Sequence, residues 1–334
     1  MTINSVGDLA SSLLARRNNS ALKGKFQILA QELSTGRKAD IAKELAGNTS
    51  QLNALEHSLR AIDAYKGAQT TLEQKLNHAE IALGSISDVL SGIGTSALAN
   101  VGAGPVAVDR AVIGAEDRFE AVISSLSVRA GGTFVFSGTS SQTAPLNDST
   151  TILTALEAAT AGDMTASDFS QSIEDWFAQP GGFDVVGYVG GDAPVNGVGV
   201  SPTTELTFEL TAEAEEIRDV LKDLAVFALM EREALSGFPD ERDTLLATAA
   251  QGVMQSENVL IGIRAELGLL QSQVSDARAE NSAQENAMSK MKSDLVSVDL
   301  FETASRFEEV QLQLESFYLA TSKTARLSLT GFLR

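Results

Sequence analysis

Two long stretches of the chain place apolar residues at alternating spacings of four and three. In the first, Leu72, Leu76, Ala79, Leu83, Ile86, Leu90, Ile93 and Ala97 keep the rule without a break. In the second, Leu260, Ile263, Leu267, Leu270, Val274 and Ala277 do the same. The pattern returns at Met288, Met291, Leu295 and Val298, and again at Phe307, Val310, Leu314 and Phe317. A mean spacing of about 3.5 residues keeps apolar side chains on one side of an α-helix, and such a seam is buried only against another helix. The pattern predicts long paired helices toward both ends of the chain.

The punctuation between these runs sets the remaining elements. Residues 1 to about 33 read as a helix with Leu22, Phe26, Leu29 and Leu33 on one face. Turn-forming residues at 34–40 and 47–50 interrupt it. A second helix, from about Gln51, runs through Leu52, Leu55, Leu59 and Ile62 into the first heptads and stops in the Gly- and Pro-bearing segment 100–105. A third helix, 106–130, closes at Gly131-Gly132. The middle differs. Residues 133–139 read as a short strand entering a turn, 151–178 as one or two short helices, and Phe183–Val189 and Thr203–Leu210 as strands around a Gly- and Pro-rich linker. Thr211 is placed to cap a helix through Ile217, Val220, Leu221, Leu224 and Phe227, and from Asp240 the chain reads as helix nearly to its end. The expected fold is mainly α: a long, coiled-coil-like helical rod formed by the N- and C-terminal segments, with a small inserted α+β domain. The expected division is 1–45 with 295–334, 46–132 with 211–294, and an acidic insert at 133–210.

Composition supports helix-on-helix packing. Aromatic residues make up 5% of the 334 residues, with one Trp and three Tyr, too few for a large sandwich or barrel core. There is no cysteine, which excludes disulfides, thiolate chemistry and Cys-based zinc sites. The net charge is −19, and between Arg129 and Arg218 thirteen Asp and Glu occur without a single Lys or Arg. Such a segment repels phosphate backbones, so nucleic acid is not an expected partner; the plainest reading of the charge is a solvated outward face. No apolar run reads as reaching the ~20 residues a bilayer demands, so no membrane partner is expected either. The N-terminal stretch lacks a basic region before its short apolar segment and a small-residue cleavage site, unlike a Sec-type signal peptide.

Catalytic chemistry finds little to work with. His57 and His78 lie 21 residues apart on one expected helix, roughly 31 Å at 1.5 Å per residue, and cannot share a metal. A Ser-His-Asp arrangement would need one of them in a cleft, and no G-x-S-x-G elbow is present. Gly92 to Ala97 and Gly102 to Ala107 fit a loose dinucleotide pattern, but each follows a helix where a strand is required. The Gly-rich 187–199 region lacks a phosphate-gripping Lys, and Asp192 with Asn196 lacks the spacing of a calcium loop. No cofactor, metal or catalytic residue is expected, and the chain reads as a structural protein, not an enzyme. On pattern alone, an ordinary intramolecular bundle or a soluble coiled-coil adaptor fits as well as a polymer subunit.

Four stretches resemble the flagellin family, in its hook-associated branch. Leu29-Ala30-Gln31-Glu32-Leu33-Ser34-Thr35-Gly36-Arg37-Lys38 is similar to the turn after the family's first helix, and the heptads from Leu72 to Leu90 resemble its long central helix. Gly131 to Thr139, followed by Ala144-Pro145-Leu146, is similar to the branch's hairpin, and residues 298–334 resemble the family's C-terminal helix. The segment Ala39 to Gly47 departs from the paired aspartates common in the family. The resemblance covers 1–140 and 211–334 and leaves the acidic middle outside. It implies an extracellular flagellar subunit at the hook–filament junction, exported without cleavage, with terminal helices that fold on assembly. Its implied partners are a ring of like subunits, hook-associated protein 1, flagellin and a flagellar export chaperone. The implied assembly surface is the apolar face of Leu22, Phe26, Leu29 and Leu33 with Val310, Leu314 and Phe317. The filament flagellin itself is the alternative within the family.

Overall fold

The computed structural model describes residues 4–44, 47–191 and 197–332. In chain order the elements are α1 (Asn4–Thr35), α2 (Ile41–Glu44), α3 (Ser50–Leu90), α4 (Ile93–Leu98), α5 (Pro105–Val112), α6 (Ala115–Leu126), β1 (Arg129–Ala130) and β2 (Thr133–Phe134). They continue with α7 (Ser149–Thr160), α8 (Ala166–Phe177), a π-helical turn (Phe183–Gly187), β3 (Val198–Gly199), β4 (Glu205–Leu206), α9 (Glu215–Glu231), α10 (Pro239–Val296) and α11 (Leu300–Phe332). The protein is mainly α. The chain divides into two compact units, Met1–Ala61 with Ala283–Arg334, and Ile62–Ser282.

The core of the Ile62–Ser282 unit is built on the two heptad runs. Every member of the first, from Leu72 to Ala97, is buried, and Leu260, Leu267, Val274 and Ala277 of the second are buried against the same cluster. Each fully buried Leu or Ile is worth about 2 kcal/mol of transfer free energy. The ion pairs along the α3–α10 seam, Arg264 to Glu80 at 2.7 Å and Arg278 to Glu73 at 2.8 Å, remain partly open to solvent. Such pairs contribute about 0.5 kcal/mol each, so burial drives the packing and charge sets its register. The segment Ser50–Leu98 is long and apolar enough to cross a membrane by length and composition alone, contrary to the expectation that no run approaches that length. Its heptad positions from Leu72 to Ala97 are buried in the core, while Ile81 and Leu98 between and beside them are exposed.

Residues 133–210 add their apolar side chains to this core. Phe136, Ile152, Leu156, Phe169, Phe183 and Val200 are buried in one cluster with Leu83, Phe119 and Leu224. The hairpins are short and antiparallel: Arg129 pairs with Phe134, and Val198 with Leu206. The loop at Val200 is fastened from both sides, because the buried amides of Gln69 on α3 and Asn281 on α10 both donate to its carbonyl, at 2.7 and 2.8 Å.

Several expected elements are corrected. Phe183–Val189 is not a strand: Tyr188 N donates to the Phe183 carbonyl at 2.8 Å, closing a π-type turn, and the Phe183 ring stacks on Phe177 at 5.4 Å. Only Glu205–Leu206 of the expected 203–210 strand pairs, since its partner strand is two residues long. The helix expected over 106–130 breaks at Gly114, which takes a left-handed φ of 76°. There Glu231 of α9 accepts from Gly114 N at 2.7 Å and Glu116 N at 2.9 Å, so a carboxylate over a hundred residues away caps α6. Thr211 does not cap α9, which starts at Glu215 after Ala214 with no side-chain cap. Its neighbour Ala212 N is held by the Phe136 carbonyl at 2.9 Å, which fixes the approach to the helix. Gly92, with φ 76°, ends the first heptad helix at Leu90 and opens α4. The final helix also divides, between Val296 and Leu300.

Candidate functional site

In the unit formed by the two ends of the chain, a turn comes first. Gly36 adopts a left-handed φ of 67°, a conformation glycine takes without penalty, and its N–H returns to the Glu32 carbonyl at 2.8 Å. Thr35 Oγ1 donates to the Gln31 carbonyl at 2.8 Å, and the Glu32 carboxylate accepts from Ala39 N at 3.0 Å. This closed turn pairs with the break between α10 and α11. Lys38 N donates to the Val296 carbonyl at 2.9 Å, Val298 N to the Gly36 carbonyl at 3.1 Å, and Lys38 Nζ to the Leu295 carbonyl at 2.9 Å. Asp299 then restarts the helix, its Oδ1 accepting from Phe301 N at 2.9 Å and Glu302 N at 3.1 Å.

The turn fixes α1 against α11. Phe26 meets Phe307 with ring centroids 4.6 Å apart, and Lys23 Nζ lies 5.9 Å over the Tyr318 ring, so the two helices run antiparallel. All seven residues expected on the apolar surface fall in this pair. Val310 and Leu314 are buried, at 8% and 9% exposure, while Leu22, Phe26, Leu29, Leu33 and Phe317 are half-buried. Leu22 and Phe317 face one groove of about 700 Å³, whose polar edges include Lys25 and Glu309. Leu312 lines the same groove and is exposed, as are Leu13, Leu14 and Ile28 elsewhere on α1 and Leu319 on α11, Leu319 at 64%. One helix pair therefore covers the centre of each seam and leaves its flanks open. Met288 and Leu295 are half-buried and Met291 is exposed, so the third heptad run is only partly covered. In the same unit, Lys292 Nζ lies 2.9 Å from Glu56, and its hydrogen bond holds that carboxyl below the usual carboxylate range.

The sequence reading missed the pairing of 36–38 with 296–298 and the cap at Asp299. The first leaves no local trace, since both partners read as ordinary turn and helix. The second had a signal: an aspartate three residues before Glu302 is the pattern of a helix start.

The remaining candidates for chemistry do not converge. His57 and His78 both lie on α3, and among the described residues no group of three His, Asp or Glu is arranged to hold a metal ion. Ser256 and Asp223 are hydrogen-bonded at 2.7 Å, but no histidine stands between them. Burial alone would lower the pKa of the neighbouring Lys222, but its hydrogen bonds and ion pairs to Asp219 and Glu174 together outweigh this and raise it. Gly92, Gly102 and Gly104 all have positive φ and flank α4 and α5, as helix ends and loop. Asp192 and Asn196 lie outside the described residues.

Comparison with known proteins places this arrangement. Residues 6–141 match the bacterial flagellin N-terminal helical region, and residues 251–333 match the bacterial flagellin C-terminal helical region. The fold is similar to that of a flagellar hook-associated protein from Vibrio parahaemolyticus, with a TM-score of 0.50 and 20% identity over 75% of this chain and 97% of that one. It is also similar to Bacillus cereus FlgL, with a TM-score of 0.51 and 14% identity over 72% of this chain and 99% of that one. No curated protein matches the chain significantly by sequence. The two matched regions together span well over half of the chain and carry α1 and α11, the helices that present the open apolar seams: the chain belongs to the flagellin family of flagellar structural proteins.

Proposed function

We propose that this protein is the hook–filament junction subunit of a bacterial flagellum. It forms a ring of like subunits through its terminal helices, stands on hook-associated protein 1 and seeds flagellin assembly above. The observation that carries the reading is the α1–α11 pair, which buries Val310 and Leu314 yet leaves Leu13, Leu14, Ile28, Leu312 and Leu319 in water. Apolar flanks of this extent are stabilised by further helices of the same kind. The fold likeness to proteins named as hook-associated and FlgL favours the junction over the filament.

In this reading the two terminal segments, 1–45 and 295–334, order fully only on assembly. A single pair of helices buries too little apolar surface to offset the conformational entropy of fixing so many residues. The subunit leaves the cell through the flagellar export channel with a chaperone on its C-terminal helix, and acts outside. The acidic stretch within 133–210 presents a solvated face. No catalytic step is involved.

A deletion strain tests the assignment. Bare hooks with flagellin accumulating in the medium are expected. Loss of filaments without released flagellin would make this chain the filament subunit. Normal filaments would leave a soluble coiled-coil adaptor as the better account.

A further inference from the structure

Asp223 lies on α9 where α8, α9 and α10 meet. Ser256 of α10, at 2% exposure, donates to Asp223 Oδ2 at 2.7 Å. The other carboxylate oxygen rests against Gly252, where a Cβ would overlap it, so α9 and α10 approach here as closely as a glycine allows. These residues border a cleft of about 370 Å³. The charged groups facing it are few. From α8 comes Glu174, and from α9 come Asp219 and Lys222; α10 contributes only uncharged Thr248, Gln251, Gln255 and Ser256 on this side. Lys222 is already engaged, 3.0 Å from Glu174 and 2.8 Å from Asp219. Three carboxylates thus surround one ammonium, and Asp223 is the one that Lys222 does not contact through an ion pair.

We infer that Asp223 is a proton-sensitive fastening of α8, α9 and α10, which pack more tightly when its carboxyl group is neutral. A neutral carboxyl both accepts and donates a hydrogen bond, and it removes one of the excess negative charges from a partly desolvated site. Burial is the main cause that raises its pKa from 3.8 to about 6, against the opposing effects of the Ser256 hydrogen bond and Lys222. The direction of the linkage follows. A carboxyl with a folded pKa above its unfolded value contributes stability that is complete below about 3.8 and is lost as pH rises through about 6. Between pH 5 and pH 7 this single group shifts the folding equilibrium about tenfold toward the unfolded chain.

The test uses the full chain, labelled at aspartate Cγ and titrated by NMR under monomeric conditions. One resonance with a midpoint near 6 is expected, absent in Asp223→Asn; a spectrum in which every aspartate titrates below pH 5 overturns the inference. Denaturant titrations of wild type and Asp223→Asn at pH 5 and pH 7 give a second readout. The variant is expected to gain about tenfold in relative folding equilibrium at the higher pH. An unchanged ratio between the two pH values sinks the idea. Should Asp223→Asn fail to fold, Ser256→Ala serves instead. It removes the hydrogen bond that favours the charged form, so it should move the wild-type midpoint upward, and an unmoved or lowered midpoint counts against the fastening.

Discussion

Gly138 shows how one residue can carry information that its neighbours do not. It has a left-handed φ of 56°, and a Cβ at this position would overlap the carbonyl oxygen of Gly191. The two segments meet as an isolated bridge, with Gly191 N donating to the Ser137 carbonyl at 3.0 Å. Gly138→Ala meets both a strained conformation and a backbone that cannot step aside. It should cost about 3 kcal/mol of stability, read as a lowered denaturation midpoint with an unchanged slope. The sequence marked Ser137-Gly138-Thr139 as a turn, and that much held. It could not reveal that Gly191, more than fifty residues away, sits on the glycine's open face. Asp299 belongs to the same scale. Asp299→Ala removes the acceptor for two N–H groups at the start of α11 and should cost about 1 kcal/mol. Faster amide exchange at Phe301 and Glu302, with α9 unaffected, would localise the effect; uniform change across the chain would contradict it.

At the scale of elements, periodicity was a reliable guide and punctuation was not. The first heptad run is buried at every position from Leu72 to Ala97, because a 3.5-residue spacing leaves those side chains one common direction to face. The paired helices at both ends were legible for the same reason. Boundaries depended on partners far along the chain. Gly114 ends a helix and opens another because Glu231 waits to cap it, and Ala166 at the start of α8 is met by Glu241 at 2.6 Å. Phe183–Val189 breaks the strand alternation at Val185-Val186 and Gly187; its Phe183 ring joins a cluster with Trp176 and Phe177 while the backbone closes a π-turn. Short apolar runs with glycines nearby do not distinguish these outcomes.

At the scale of the molecule, the proposed function rests on the apolar seams of α1 and α11. Leu314 is buried against α1, while Phe317 borders the open groove with Leu22. Leu314→Asp or Phe317→Asp should leave a soluble monomer that does not assemble, measured by sedimentation of purified subunits and by filament counts on cells carrying the variant. Normal assembly by both would remove the C-terminal seam from the interface. The Ile62–Ser282 unit has its own core and should keep its cooperative unfolding in either variant.

The sequence by itself determined the helical class, the two heptad seams, the family, and which seven apolar residues would lie on the terminal helices. These are properties of spacing and local turn chemistry, and they survive without knowledge of neighbours. Tertiary structure alone decided where the helices break, which carboxylates cap them, and how Gln69 and Asn281 come to hold one carbonyl. It also decided that Gly36–Lys38 pairs with Val296–Val298 and that Asp223 borders a cleft where three helices meet. Each of these depends on groups that are apart in sequence and meet only in the fold, where burial and neighbours act together with the residue's own identity to set its chemistry.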